Sequence, residues 1–357
     1  MRWRRGTVIA AGRVWTGAVE LEVRLDDGGR CVAIAYVDLV GRPEPGDVVL
    51  LNVGALDLDL GTGGFALVVA VPDRLPPDTT APGHLIKARY TPLQATVLGA
   101  DEPASPHHAA LRDATSIDAM PVVVADLHSA LPAVIAGVRL HAASARIAYL
   151  MTDGGALPVA LSRTVAGLRD AGWIVGCIST GQSFGGDLEA VSVHSGLLAA
   201  RHVLRADVVV VTQGPGNLGT DTRWGFSGVA AGEAVNAAAV LGGRAVAALR
   251  VSQAEPRDRH RGISHHSLTA YGSVALTPAD VVIPLLPGDF GAEIRAAAQQ
   301  LGERHRLVDV GIGGLDAALR GCPVPLSTMG RGLDDDPAAF LASAAAGRHA
   351  AGLLAAT

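Results

Sequence analysis

From Met120 onward the sequence repeats one unit: a short apolar run, a loop that contains glycine, and an alanine-rich stretch with helical spacing. The apolar runs lie at residues 121–125, 146–151, 173–178, 207–211 and 244–251. Short apolar strands that alternate with helices are typical of a parallel sheet covered by helices on both faces. The pattern therefore predicts a doubly wound, mainly parallel, Rossmann-like α/β domain.

The N-terminal part of the chain carries a different pattern. Apolar and charged residues alternate over residues 19–25, as expected for a strand with one buried and one solvent-facing side. Residues 26–29, Asp-Asp-Gly-Gly, then favour a tight hairpin turn. We predict a small all-β domain of barrel type over residues 1–72, a linker with a connecting strand over residues 73–119, and the α/β domain over residues 120–357.

Composition limits the partners and the location that we expect. The 29 basic and 34 acidic residues give a net charge of −5, whereas a nucleic-acid-binding protein usually presents a basic face. No run approaches the roughly 20 apolar residues that span a bilayer, and the first residues do not form the apolar segment of a signal peptide. We expect a cytoplasmic protein that binds neither nucleic acid nor membrane.

Two glycine-containing loops follow predicted strands, at the sheet edge where doubly wound folds bind ligands. They contain Asp153, Gly154 and Gly155 in the first loop and Gly214, Gly216 and Gly219 in the second. The backbone N–H groups of such loops can hold an anion. Helix capping in the first loop and a tight turn in the second explain the same residues without a ligand.

Two short motifs that match known enzymes are discounted. The second glycine loop fits the GxGxxG pattern of dinucleotide-binding folds, but its last glycine does not open a helix and no acidic residue follows at the required distance. An NAD-type dinucleotide is therefore not expected. Residues 181–185 fit the GxSxG pattern of α/β-hydrolases, yet a chain with 44 glycines produces such short patterns by chance.

The densest group of charged and imidazole side chains lies at residues 255–267, after an apolar run. Its basic members are Arg257, Arg259, His260, Arg261, His265 and His266. Arginine binds carboxylates and phosphates through paired hydrogen bonds, and histidine exchanges protons near neutral pH. This combination predicts a site for a small anionic metabolite, with His265, His266 and Asp221 as candidate catalytic residues.

Two other interpretations of this segment stay open. In the first, His260, His265 and His266 bind a divalent metal such as zinc, manganese or iron in a metal-dependent hydrolase, because imidazole is a common metal ligand. Their spacing matches no established metal motif such as HExxH. In the second, the segment is a solvated loop whose charged groups pair with one another and with acidic neighbours. The chain as a whole is then open to a further interpretation, a non-catalytic assembly protein whose β domain mediates homo-oligomer or partner contacts. We expect the chain to form a homo-oligomer.

Three longer strings of sequence resemble a known family. They are GHLIKARYTPLQ at residues 83–94, QGPGNLGTDTRWGFSG at residues 213–228 and DRHRGISHHSLTAYG at residues 258–272. Through them the chain resembles, over nearly its full length, an uncharacterised bacterial family known as a domain of unknown function. The resemblance implies a bacterial, soluble protein whose distinctive residues lie in the loops described above. It implies no activity, cofactor or catalytic residue.

Overall fold

The computed structural model describes residues 1–60, 63–78 and 82–355. The chain separates into two compact units. The first consists of Met1–Val97 with Ala160–Ala166, and the second of Leu98–Val159 with the chain from Gly167 onward. The predicted connector at residues 73–119 includes residues 79–81, which lie outside the described ranges.

Five strands of the first unit form a closed barrel. They are β1 (Trp3–Trp15), β2 (Ala18–Leu25), β3 (Arg30–Tyr36), β4 (Val48–Asn52) and β5 (Ala66–Ala70). Their order is β1-β2-β3-β5-β4, and β3 and β5 are the parallel pair. Val19, Leu21 and Val23 are fully buried in the core of this unit, so the alternating pattern does produce one buried side. The predicted barrel-like β domain is confirmed.

The other elements of the first unit are short. Helix α1 (Val37–Val40) follows β3, and strands β6 (Leu85–Lys87) and β7 (Ala95–Val97) form a separate antiparallel pair. Ala160–Ala166 join this unit, where the Trp15 indole N–H donates to the Ala160 carbonyl oxygen over 2.6 Å.

The second unit contains a large parallel sheet. The strands of this unit are β8 (Pro121–Val124), β9 (Ile147–Thr152), β10 (Gly176–Ser179), β11 (Leu188–Glu189), β12 (Val208–Gln213), β13 (Arg244–Ala248), β14 (Val251–Ser252), β15 (Gly262–Ile263), β16 (Asp280–Pro284), β17 (Arg306–Val310), β18 (Ser327–Thr328) and β19 (Arg331–Gly332). Eight of them form the sheet in the order β11-β10-β9-β12-β8-β13-β16-β17, with every neighbouring pair parallel. All residues of β8, β9 and β12 are buried, as expected when helices cover both faces. The predicted doubly wound α/β fold is confirmed.

Small residues let the covering helices pack closely. After α1 the helices are α2 (His108–Leu111), α3 (Leu131–His141), α4 (Arg163–Asp170), α5 (Val193–His202), α6 (Ala230–Val240), α7 (His265–Thr269), α8 (Gly288–Ala298), α9 (Leu315–Arg320) and α10 (Pro337–Leu354). A methyl group added at Gly137 of α3 would lie 1.9 Å from the Ala344 carbonyl oxygen of α10. The many glycine and alanine residues of the sequence therefore allow backbone-to-backbone contact between helices.

Candidate functional site

The order of the strands creates a switch point at the centre of the sheet. In the sheet, β8 lies between β12 and β13. After β8 the chain crosses to β9, on the β12 side, whereas after β12 it crosses in the opposite direction to β13. Ligands of open α/β sheets bind in the crevice that forms where neighbouring connections diverge in this way. Polar residues stand at the carboxyl ends of these three strands: Asp126, Gln213 and Arg250.

Asp126 is a buried carboxylate with an unused oxygen. Its side chain is 2% exposed, and Oδ2 has no hydrogen-bond partner among the residues that the structure describes. The neighbouring nitrogen atoms are Nη1 of the Arg250 guanidinium at 3.9 Å and Nδ1 of the His266 imidazole at 3.6 Å. Both distances exceed a normal hydrogen bond. Burial of an unpaired carboxylate oxygen costs free energy, so this arrangement needs an explanation.

His266 connects Asp126 to the second glycine loop. Its Nδ1 lies 3.2 Å from Arg250 Nη1 and 3.4 Å from Asn217 Nδ2. Asn217 Oδ1 accepts from the Ser227 hydroxyl over 2.8 Å, which sets the orientation of the amide. Arginine and the amide nitrogen are both donors, so Nδ1 accepts in this arrangement. The ring also stacks on Phe226, with centroids 3.8 Å apart.

Two residues close to His265 and His266 in the sequence, Ser264 and Tyr271, fix helix α7 at the sheet edge. Ser264 caps α7, because its hydroxyl accepts from the His266 backbone N–H over 3.2 Å. In the π-helical turn after α7, the Tyr271 hydroxyl lies 2.8 Å from the Val124 carbonyl oxygen at the end of β8. The two anchors place both histidines beside the ends of the central strands.

The structure brings the three predicted histidines together. The ring centroids of His260, His265 and His266 lie 4.4 to 4.9 Å apart. His260 Nδ1 lies 2.7 Å from the Ser264 hydroxyl. Burial, assisted by the charge of Arg250, lowers the pKa of His260 to about 3, and burial also lowers the pKa of His265. A lower pKa favours the neutral form of an imidazole, which has the lone pair that binds metals and accepts protons.

Two small cavities border Asp126. The first, of about 30 Å³, is also lined by Arg250, Ser252 and Arg331 and has room for about two water molecules. The second, of about 10 Å³, lies on the β12 side and is lined by Gln213, whose Oε1 is likewise buried without a hydrogen-bond partner in the described part of the chain. Each cavity is thus lined by a residue that has a buried oxygen without a hydrogen-bond partner in the described part of the chain.

The three predicted ligand-binding arginines do not converge. Arg257 Nε donates to Glu255 Oε1 over 2.6 Å, and Arg259 forms an ion pair with Asp221. Arg261 is exposed. Asp221, predicted as a catalytic residue, has a 69% exposed side chain and a left-handed backbone with φ of 62°. The guanidinium that reaches the switch point is instead that of Arg250.

In the first predicted anion loop, the Asp153 carboxylate accepts hydrogen bonds from backbone N–H groups of the loop itself. Asp153 Oδ1 accepts from the backbone N–H groups of Gly155 and Ala156 at 3.3 and 2.9 Å, and no helix begins there, since the next helical turn starts at Val159. Gly154 lies against Gln213, where an added methyl group would be 2.7 Å from Oε1. The loop is thus next to the switch point with part of its backbone already bonded.

The second glycine loop closes back on the segment before α6. Its glycines are Gly214, Gly216 and Gly219. Gly216 has φ of 87°, a conformation that glycine adopts without strain. The Leu218 N–H donates to the Ser227 hydroxyl over 3.0 Å. What the loop brings to the site is the Asn217 side chain.

Sequence reasoning missed Asp126, Gln213, Asn217 and Arg250. Asp126 follows the buried strand β8, and Arg250 follows β13 after one residue. A polar residue that closely follows an apolar strand is the signal that would have identified both. Ser183 of the GxSxG pattern is fully buried, with its hydroxyl 3.5 Å from the Thr152 carbonyl oxygen, which does not resemble the exposed nucleophile of a hydrolase.

The fold and the site define a doubly wound α/β protein with an added β-barrel unit and a polar cluster at its central switch point. Residues 32–347 match the family described as "Protein of unknown function (DUF3866)". The chain belongs to this family, as the resemblance of its three sequence strings suggested. No curated protein matches the sequence at a significant level. Among the described residues, none of the helices has the length and apolar character needed to cross a membrane.

Proposed function

We propose that this protein binds a small anionic metabolite in the cleft beside Asp126, at the carboxyl edge of the sheet. The observation that carries the proposal is the loosely paired Arg250. Its side chain is 10% exposed and stands 3.9 Å from the Asp126 carboxylate, and the 3.2 Å contact with His266 uses one of its five N–H groups. The remaining donors of a buried guanidinium suit a carboxylate or phosphate.

Asp126 narrows the class of ligand. An anionic group alone would be repelled by this carboxylate, whose Oδ2 lacks a hydrogen-bond partner among the described residues. A hydroxyl or ammonium group beside the anionic group would donate to Oδ2 and remove the cost of its burial. We therefore propose a hydroxy acid, an amino acid or a sugar phosphate, with its anionic group on Arg250 and its donor on Asp126.

Ligand binding in the presence of a chelator tests this proposal. Thermal unfolding of the wild type would be followed with inorganic phosphate, glycolate, glycine and glucose 6-phosphate, each in excess, with EDTA present throughout. A ligand at 100 times its Kd stabilises the folded state by about 2.7 kcal/mol. We expect a rise in Tm with at least one of these compounds, and its loss in the Arg250→Gln variant.

The matched control is Arg261→Gln, because Arg261 lies in the same segment as the histidines but is exposed. This variant should respond to the ligand as the wild type does. Absence of any response in the wild type, or an equal response in Arg250→Gln and Arg261→Gln, would overturn the proposal. A non-catalytic assembly protein would combine no ligand response with a defined oligomer in light scattering.

A further inference from the structure

The imidazole rings of His260, His265 and His266 form a compact group beside the proposed anion site. One ligand nitrogen from each ring lies within 4.8 Å of the other two. Three imidazoles on one zinc ion, with Zn–N bonds of about 2.0 to 2.1 Å, place their nitrogens about 3.3 Å apart. Small rotations of the side chains would therefore bring the three nitrogens to bonding distance of one ion.

His260 is already oriented by a second residue. Its Nδ1 is 2.7 Å from the hydroxyl of Ser264, which is fully buried. A bond at Nδ1 leaves Nε2 as the nitrogen that is available to a metal. Metal-binding histidines almost always bond an outer partner through the second nitrogen, which sets the tautomer and the orientation of the ring.

The Asp126 carboxylate is the candidate outer partner of His266. Its Nδ1 lies 3.6 Å from Asp126 Oδ2, the oxygen that lacks a hydrogen-bond partner among the described residues. With a metal on Nε2, the proton of the neutral ring would reside on Nδ1 and be donated to Asp126. Arg250, now 3.2 Å from Nδ1, would then turn to the same carboxylate. This tautomer would give the unpaired oxygen of Asp126 a partner and is the carboxylate–histidine–metal arrangement.

The charges around the three rings are balanced. Each arginine that approaches the group has a carboxylate: Arg250 with Asp126, Arg257 with Glu255, and Arg259 with Asp221. A divalent cation would therefore meet three imidazole rings surrounded by ion pairs of zero net charge. The positive segment seen in the sequence does not by itself exclude a cation.

We propose that His260, His265 and His266 bind one divalent transition metal, of the zinc class, with a fourth position left open. Imidazole suits zinc, iron, copper and nickel, and three protein ligands with an open position are typical of catalytic zinc sites. This site deepens the metal-dependent alternative and does not rest on the anion site. If both sites exist, a water on the metal would lie close to an anion held by Arg250, which suits hydrolysis of an anionic substrate.

Metal binding can be measured without any assay of activity. The protein, purified without a histidine tag, would be stripped with EDTA, dialysed, and titrated with Co²⁺ and Zn²⁺. We expect one equivalent per chain by elemental analysis, together with the visible absorption of Co²⁺ in nitrogen ligands. Because this titration contains no anionic metabolite, its failure would leave the anion-binding result, obtained in EDTA, unaffected.

Two single variants test proposed ligands, and a third tests the outer partner of His266. His260→Gln and His265→Gln should each lower the affinity for Co²⁺ at least about 10-fold and change the spectrum, and Asp126→Asn should lower it about 10- to 100-fold. His194→Gln, an exposed histidine on α5, is the control and should bind as the wild type does. The proposal fails if the wild type binds no metal, or if His260→Gln and His265→Gln, shown to be folded by circular dichroism, keep its stoichiometry and spectrum.

Discussion

Two buried carboxylates at the same edge of the sheet, Asp126 and Glu255, are equally buried but differently paired. Each side chain is 2% exposed. Glu255 accepts from Arg257 over 2.6 Å and from Arg331 over 2.9 Å. Asp126 has its nearest guanidinium nitrogen at 3.9 Å and one oxygen without a hydrogen-bond partner among the described residues. Glu255 thus forms short hydrogen bonds to two arginines, whereas Asp126 forms none through Oδ2 to any described residue.

The largest effect on stability should come from Glu255→Gln. This change removes the carboxylate paired with Arg257 and one of the two carboxylates paired with Arg331, the other being Asp336 at 3.5 Å. Breaking a fully buried ion pair costs about 3 to 5 kcal/mol, and the partial exposure of Arg257, 40% for its side chain, reduces this figure. We expect a loss of about 2 kcal/mol in the free energy of unfolding, as measured with urea at pH 7. A loss below about 0.5 kcal/mol would show that the ion pairs of Glu255 with Arg257 and Arg331 do not stabilise the fold.

The stabilisation that the ionised Glu255 carboxylate provides should decrease at acid pH. The hydrogen bond from Arg257 is the main cause that lowers the pKa of Glu255 from 4.5 to about 2. A carboxyl group whose pKa is lower in the folded state stabilises the protein fully above pH 4.5, and the contribution is lost as the pH falls toward 2. The stability difference between wild type and Glu255→Gln should therefore shrink between about pH 5 and pH 2. A constant difference in urea unfolding over this range would contradict the assignment.

The smallest effect on stability should come from Asp126→Asn. The carboxylate makes no short hydrogen bond through Oδ2, so the loss of its contacts at 3.6 and 3.9 Å is offset by the easier burial of a neutral amide. We expect the free energy of unfolding to change by less than about 1 kcal/mol. The same urea experiment provides the check. A loss as large as that of Glu255→Gln would make the two carboxylates equivalent and remove the basis of the comparison.

Much of the fold was predictable because its signals are local. Alternation over residues 19–25 reports the one buried side of β2, and wholly apolar runs report strands buried on both faces. The exact bounds depend on packing. The sequence predicts one strand from the apolar run at residues 173–178, but β10 covers Gly176–Ser179, because pairing with β9 begins at Gly176.

The candidate site was predictable only in part. The histidine group was predictable because its three members are close in sequence. His260 ends a short 3₁₀ turn, and His265 and His266 begin the capped helix α7. The arginines show the limit of such reasoning, since their alternation at 257, 259 and 261 indicates a basic segment but not that two of them pair with Glu255 and Asp221.

The sequence by itself determined the fold class and the sheet edge at which polar residues gather, because periodicity and the residues that follow a strand are properties of neighbouring positions. Only the tertiary structure decided which charges are satisfied. The order β12-β8-β13 brings together Asp126, Asn217, Arg250 and His266 from four separate segments. A hydrogen bond forms or fails within a few tenths of an ångström, and that distance is set by the packing of the whole sheet.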